Sequence, residues 1–396
     1  MFDLAKVQSA LREFGFDGWL LYDFRGSNIL ARRILGLDGK HIGSRRFFYW
    51  IPASGMPRKL VHRIEDSVLD ALPGDKTIFL SWQELEAGVQ QCVSGSKVVA
   101  MEYSPRNGNP YVSKVDAGVV ELVRSFGCDV QSSGDIVQLF EATLDDEQIA
   151  LHFEAATHNN SAYEVAWKFI ADGVRKDGGV SEAAVRDRIM EHYAAHSMTT
   201  YSPPIVGRNA HSGLPHYETG NGEDTTIREG DFVLIDQWAK LKKPNAVYSD
   251  LTRTGYVGKT VPETYTKIFN IVAAARDAGI AMVQDAFAKG TAIRGFEVDN
   301  AVRKVIVDAG YGQFFVHRTG HNIGRETHGN GANIDGLETR DDRRLLPRTC
   351  FSIEPGIYLS EFGVRSETNV LIDEAGKVHV TGGELQTAVV PILGKY

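Results

Sequence analysis

Four carboxylates set into apolar, strand-like runs constrain this chain more than any other feature. Asp236 interrupts Phe232-Val-Leu-Ile-Asp-Gln-Trp238, and Asp250 lies in Tyr248-Ser-Asp-Leu-Thr-Arg-Thr254. Glu354 interrupts Ser352-Ile-Glu-Pro-Gly-Ile-Tyr358, and Glu367 falls within Gly363-Val-Arg-Ser-Glu-Thr-Asn-Val-Leu-Ile372. A carboxylate in a buried strand is costly unless it is paired or bound to a cation. Each acid alone also fits the solvated face of a strand. Four in four β segments are harder to explain that way.

The spacing suggests how the first two meet. Lys240 to Asn245 is a polar turn containing Pro244. A hairpin of 232–239 and 247–254, with a five-residue loop at 241–245, places Asp236 directly across from Asp250. Cross-strand neighbours have Cβ atoms about 4.5–5.5 Å apart. Anions that close repel unless cations lie between them. Downstream, His317, His321 and His328 fall within twelve residues, with Gly320 and Gly324 among them. That pattern implies imidazoles on a tight backbone. Gly213-Leu-Pro-His216-Tyr is a loop-like stretch, and its histidine fits either an exposed turn or a site. An oxygen-rich donor set with one imidazole suits Mn²⁺, Co²⁺, Fe²⁺ or Zn²⁺. Two divalent ions would offset four negative charges.

Bulk properties narrow the class. A chain of 396 residues is too long for one ordinary core, so two domains are expected. A formal charge of −8 makes a poor phosphate binder, which argues against nucleic acid and against anionic lipid as partners. Three scattered cysteines argue against a disulfide framework or a thiolate zinc site. The first residues mix charge with apolar side chains, unlike a signal peptide. No stretch approaches the roughly 20 apolar residues that span a bilayer. A cytoplasmic location is the resulting expectation.

The first part alternates helices and strands. A helix is expected over Val7–Phe14 and another over Asp116–Phe126, with strands at Gly18–Tyr22, Phe47–Ile51, Thr77–Leu80 and Lys97–Met101. This gives a small α/β domain over residues 1–142. Thr143 is placed to cap a long helix opening with Asp145, Asp146 and Glu147. Further helices are expected to start at Ser181, to run from Pro262 at a first-turn position to a stop at Gly290, and to bury Val298, Val302 and Ile306. Strand-like runs cover 231–239, 247–257, 350–359 and 363–372. Residues 143–396 therefore form an α+β domain.

In this order and with these flanks, the motifs resemble the creatinase-like, or pita-bread, metallopeptidases, which include methionine aminopeptidase, aminopeptidase P and prolidase. The resemblance runs from about residue 145 to the C-terminus. The first part also looks like the creatinase-type N-terminal domain of the proline-directed members, which methionine aminopeptidases lack. The resemblance implies a C-terminal pita-bread domain and a ligand set of Asp236, Asp250, His321, Glu354 and Glu367. Two divalent ions per chain are implied, Mn²⁺ first, with Co²⁺ or Zn²⁺ as alternatives. It implies that His216, His317 and His328 contact substrate or stabilise the tetrahedral intermediate. Glu354 would be the proton shuttle, with attack by a metal-bridging hydroxide.

The resemblance has departures. The aspartate hairpin is three residues longer than is usual, Arg325 and Thr327 replace apolar residues, and Gly329 replaces an acid. The longer hairpin should affect only its tip, while the changes at Arg325, Thr327 and Gly329 lie beside the expected substrate pocket. Arg365 and Arg340 are placed like the arginines of prolidases that would take a substrate carboxylate. The implied activity is cleavage of Xaa-Pro dipeptides, with aminopeptidase P action on longer peptides as the alternative. A metal-free creatinase-type hydrolase and a non-catalytic binding module are less consistent with a complete ligand set. A homodimer through the N-terminal domain follows from the resemblance alone.

Overall fold

The structure is a computed structural model and describes residues 2–37, 39, 42–221 and 224–396. The chain forms two compact units, Met1–Glu141 and Ala142–Tyr396. The first is built on a six-stranded sheet of β1 (Gly18–Asp23), β2 (Phe47–Pro52), β3 (Arg58–His62), β4 (Asp75–Phe79), β5 (Val98–Met101) and β6 (Asp129–Ser132). Its spatial order is β4-β3-β2-β1-β5-β6. The apolar run of β1 is buried on both faces, which is why it shows no alternation. Trp19 and Leu21 face α1 (Leu4–Phe14), α2 (Ile29–Ile34) and α5 (Gly134–Glu141). Leu20 and Tyr22 face α3 (Trp82–Val93) and α4 (Ala117–Ser125).

The second unit pairs long helices with short sheets. α6 (Asp146–Asp177) and α7 (Glu182–Ala195) share one core, and α8 (Glu263–Ala288) and α9 (Gly295–Asp308) share another. Asp145, not Thr143, caps α6. Its carboxylate accepts the Gln148 N–H at 2.8 Å, and Gln148 returns a bond to the Asp145 N–H at 3.0 Å. Leu144 is held outside the helix by donating to the Arg348 carbonyl at 2.7 Å. Ser181 caps α7 as expected. Pro262 is the N-cap of α8 rather than a first-turn residue, and Gly290 follows its end with φ +65°. Val298, Val302 and Ile306 are all buried on α9.

β7 (Val180–Ser181), β8 (Met198–Thr199), β9 (Ile205–Arg208) and β10 (Thr226–Ile227) are short. β11 (Phe232–Leu241) and β12 (Ser249–Tyr256) form the long antiparallel pair that carries the two aspartates. β13 (Asn322–Ile323), β14 (Cys350–Ile353), β17 (Thr368–Ile372) and β18 (Val378–Thr381) make a four-stranded sheet. β15 (Gly356–Tyr358) and β16 (Gly363–Arg365) make a separate hairpin.

Two expectations are corrected here. The runs 350–359 and 363–372 are each two strands belonging to different sheets. The breaks fall at Glu354-Pro355 and Ser366-Glu367. Pro355 has no N–H to continue a ladder. The hairpin register also differs. Asp236 lies opposite Thr252, and Asp250 lies opposite Trp238. β11 leaves β12 after Ala239 to pair Lys240 and Leu241 with β8, which lengthens the connection. The shift is two residues, so both aspartates stay on one face as diagonal rather than direct neighbours.

Candidate metal centre

Three local devices set the five expected metal ligands. The face shared by Asp236 and Asp250 follows from strand alternation. Asn369 of β17 holds β12 in place by accepting the Asp250 N–H at 3.0 Å. His321 follows Gly320, where a Cβ would lie 2.0 Å from the Ser352 carbonyl oxygen, so only glycine permits this approach. The His321 N–H donates to Ser352 Oγ at 2.9 Å, and that hydroxyl donates to Glu354 Oε1 at 3.0 Å. The strand breaks leave Glu354 and Glu367 free of ladder geometry.

The five side chains converge. His321 Nε2 lies 3.2 Å from Glu354 Oε1 and 3.5 Å from Asp250 Oδ2. Asp250, His321 and Glu367 each offer a ligand atom within 4.8 Å of the others, the one such group found among the described residues. Thr252 joins the remaining acids. Its Oγ1 lies 3.0 Å from Asp236 Oδ1 and 2.8 Å from Glu367 Oε2. Neither the spacing nor the resemblance singled out Thr252. Only the true register puts it opposite Asp236.

Four buried carboxylates cannot all ionise cheaply without cations. Burial, then Asp250, Glu354 and Asp236, push Glu367 well above its ordinary range. Burial also raises Asp250 to about 7, against the opposing pull of His321. Glu354 goes the other way. Burial would raise it, but His321, His317 and Arg365 hold it below the ordinary carboxylate range. Glu367 Oε1 is buried with no hydrogen-bond partner. A buried acceptor left unmade is expensive. A site of hard oxygens, one imidazole and one orphaned carboxylate oxygen fits a divalent cation.

The other expected site residues divide. His328 stands edge-on to His321, with ring centres 4.3 Å apart. Burial, then His321, depress its imidazole to about 3, and His216 adds a smaller effect, so the three rings share one electrostatic neighbourhood. His317 has both nitrogens engaged. Nδ1 donates to the Arg318 carbonyl at 2.6 Å, and Nε2 accepts from the Tyr358 hydroxyl at 2.7 Å.

Arg365 is not an open fork for a substrate carboxylate. It is buried and donates to Asp236, to Thr252 Oγ1 at 3.0 Å and to the Tyr358 hydroxyl at 2.9 Å. An arginine two residues before Glu367 on β16 is carried into the acids by the strand's own direction, which explains this correction. Arg340 is exposed, and its guanidinium rests over the Phe296 ring at 4.3 Å. It is not gathered with the acids.

A profile of Metallopeptidase family M24 matches residues 150–374. A Mycobacterium tuberculosis protein described as the probable dipeptidase PepE is 25% identical over 350 residues, covering 86% of this chain and 85% of its own. Alignments to the first curated relatives span from 61% to 85% of those proteins' lengths. The crystal structure of dipeptidase PepE from Mycobacterium ulcerans superposes with a TM-score of 0.65 at 22% identity, covering 98% of this chain and 96% of that one. The Xaa-Pro dipeptidase from Bacillus anthracis gives 0.58 at 23%, covering 98% of each. At these identities the structural likeness shows the fold alone, the pita-bread architecture. The profile match covers more than half of the chain, which belongs to metallopeptidase family M24.

Proposed function

We propose that this chain is a two-metal peptidase that hydrolyses Xaa-Pro bonds and favours dipeptides. The observation that carries the metal part is the acid cluster with its unpaired Glu367 Oε1. Asp236, Asp250, His321, Glu354 and Glu367 would hold the ions. The charge balance supports two of them. Four carboxylates and the Arg365 guanidinium leave three negative charges, which one divalent ion does not offset and two do. The preference for dipeptides is supported by the description of PepE as a probable dipeptidase, and the Xaa-Pro part by the resemblance of the motifs.

Divalent cations in such a site supply Lewis acidity and a nucleophile at neutral pH. The chain's own groups do the rest. Glu354, held beside His321 and Ser352, accepts a proton from the attacking water and passes it to the departing nitrogen. A bond before proline is a tertiary amide, so its leaving group is a secondary amine that must collect that proton. His216 and His328 hold the scissile carbonyl or its developing negative charge. Arg365 does not reach the substrate. It anchors Asp236 and Tyr358, and Tyr358 fixes the His317 tautomer.

The test compares Ala-Pro, Ala-Pro-Ala and the proline-free Ala-Ala with Mn²⁺ present. Cleavage of Ala-Pro ahead of Ala-Pro-Ala, with Ala-Ala resistant, is expected. Faster cleavage of the tripeptide would replace the dipeptidase with an aminopeptidase P, and equal cleavage of Ala-Ala would remove the proline requirement.

A further inference from the structure

We propose that His158, His192 and His196 form a second metal site that takes a borderline divalent ion such as Zn²⁺ and uses none of the acid cluster's residues. His192 lies in the last turn of α7, and His196 is its C-cap. The His196 N–H donates to the His192 carbonyl at 3.2 Å, which keeps that turn helical. Residues four apart on a helix share a face. His158 comes from α6, which shares a core with α7. The ring centre of His196 is 4.1 Å from that of His192 and 4.6 Å from that of His158. Two imidazoles bound to one ion at about 2.1 Å hold their ring centres roughly 4.5–5 Å apart. As the rings stand, their nitrogens do not converge, so ligation turns them about χ1 and χ2.

The hydrogen bonds leave each ring a nitrogen for the ion. His196 Nδ1 donates to the His192 carbonyl at 2.9 Å, which leaves the lone pair on Nε2. His192 Nε2 donates to the His158 carbonyl at 3.2 Å and to Ser161 Oγ at 3.0 Å, and the Ser161 hydroxyl donates to that same carbonyl. The lone pair of His192 is therefore on Nδ1. Neither nitrogen of His158 has a hydrogen bond. All three rings are partly buried. Burial, then His196, holds the His192 imidazole below its ordinary range, which favours the neutral form that binds metal. The nearby Arg188 is paired with Glu191 at 2.7 Å. An imidazole donor set suits Zn²⁺, Ni²⁺ or Cu²⁺ and is poor for Mn²⁺, unlike the oxygen-rich acid cluster.

The ion staples the two helices that brace the aspartate hairpin. Tyr193, beside His192, donates its hydroxyl to Asn159 Oδ1 at 2.6 Å. Asn159, beside His158, donates through Nδ2 to the carbonyls of Gln237 at 3.1 Å and Ser249 at 3.2 Å. Those two residues adjoin Asp236 and Asp250.

The experiment dialyses the intact chain to equilibrium against micromolar Zn²⁺ and, separately, against Mn²⁺, and counts the bound metal. The unaltered chain should hold one more zinc ion than His158→Ala or His196→Gln, while all three hold the same amount of manganese. Zinc in the acid cluster is common to the three chains, so the difference reports the histidines. Zinc should also raise the melting temperature of the unaltered chain more than that of either variant. His158 has no hydrogen bond to lose, so His158→Ala serves if His196→Gln does not fold. Equal zinc content in the unaltered chain and His158→Ala, or an equal zinc-induced rise in melting temperature, would overturn the site.

Discussion

Thr252 places one hydroxyl between Asp236 and Glu367 while accepting from Arg365. One proton cannot serve two carboxylates fully, so Thr252 orients both acids rather than neutralising either. Groups that orient metal ligands are worth about 10–100-fold in affinity. Thr252→Val keeps the shape and removes the hydroxyl. It should weaken Mn²⁺ binding roughly tenfold or more in a calorimetric titration, and unchanged affinity would show that Arg365 alone sets the geometry. The two aspartates were legible because a charge in an apolar run is conspicuous. Thr252 and the inward turn of Arg365 were not. A threonine in a strand is unremarkable, and an arginine's direction depends on a register that shifts by two residues.

Among the elements, the long helices and four strands of the first sheet could be read from periodicity, capping and apolar runs, whereas β3 and β6 could not. The runs around Glu354 and Glu367 could not be divided, because apolar patterning does not report a change of sheet. The same limit hid Glu102, which follows β5 and ties several elements of the first unit. It is fully buried and accepts from Trp19 Nε1 at 2.5 Å on β1, Asn28 Nδ2 at 2.6 Å before α2, and Ser133 Oγ at 3.1 Å before α5. Burial raises its pKa from 4.5 to about 7, against the pull of those donors.

A raised pKa stabilises the fold where the group is protonated. That contribution is full below about pH 4.5, falls between 4.5 and 7, and is gone above. Its size is on the order of 3 kcal/mol. Glu102→Gln cannot ionise, and its amide meets a donor on one side. Its melting temperature should be lower at pH 4.5 and lose this decline toward pH 8. A decline as steep as that of the unaltered chain would assign the pH dependence elsewhere.

Across the molecule, each unit carries its own cores, and the chemistry-bearing residues discussed here all lie in the second. No helix among the described residues is long and apolar enough to cross a membrane. The acid cluster, on the reading proposed above, is a two-metal centre for peptide hydrolysis. Its most direct test follows Ala-Pro hydrolysis by metal-stripped chain as Mn²⁺ is restored, with bound metal counted at each step and Glu367→Ala run in parallel. The stripped chain should be inactive, activity should level off as the second ion binds, and the variant should stay inactive throughout. Full activity in the stripped chain, or unimpaired activity in Glu367→Ala, would contradict the account.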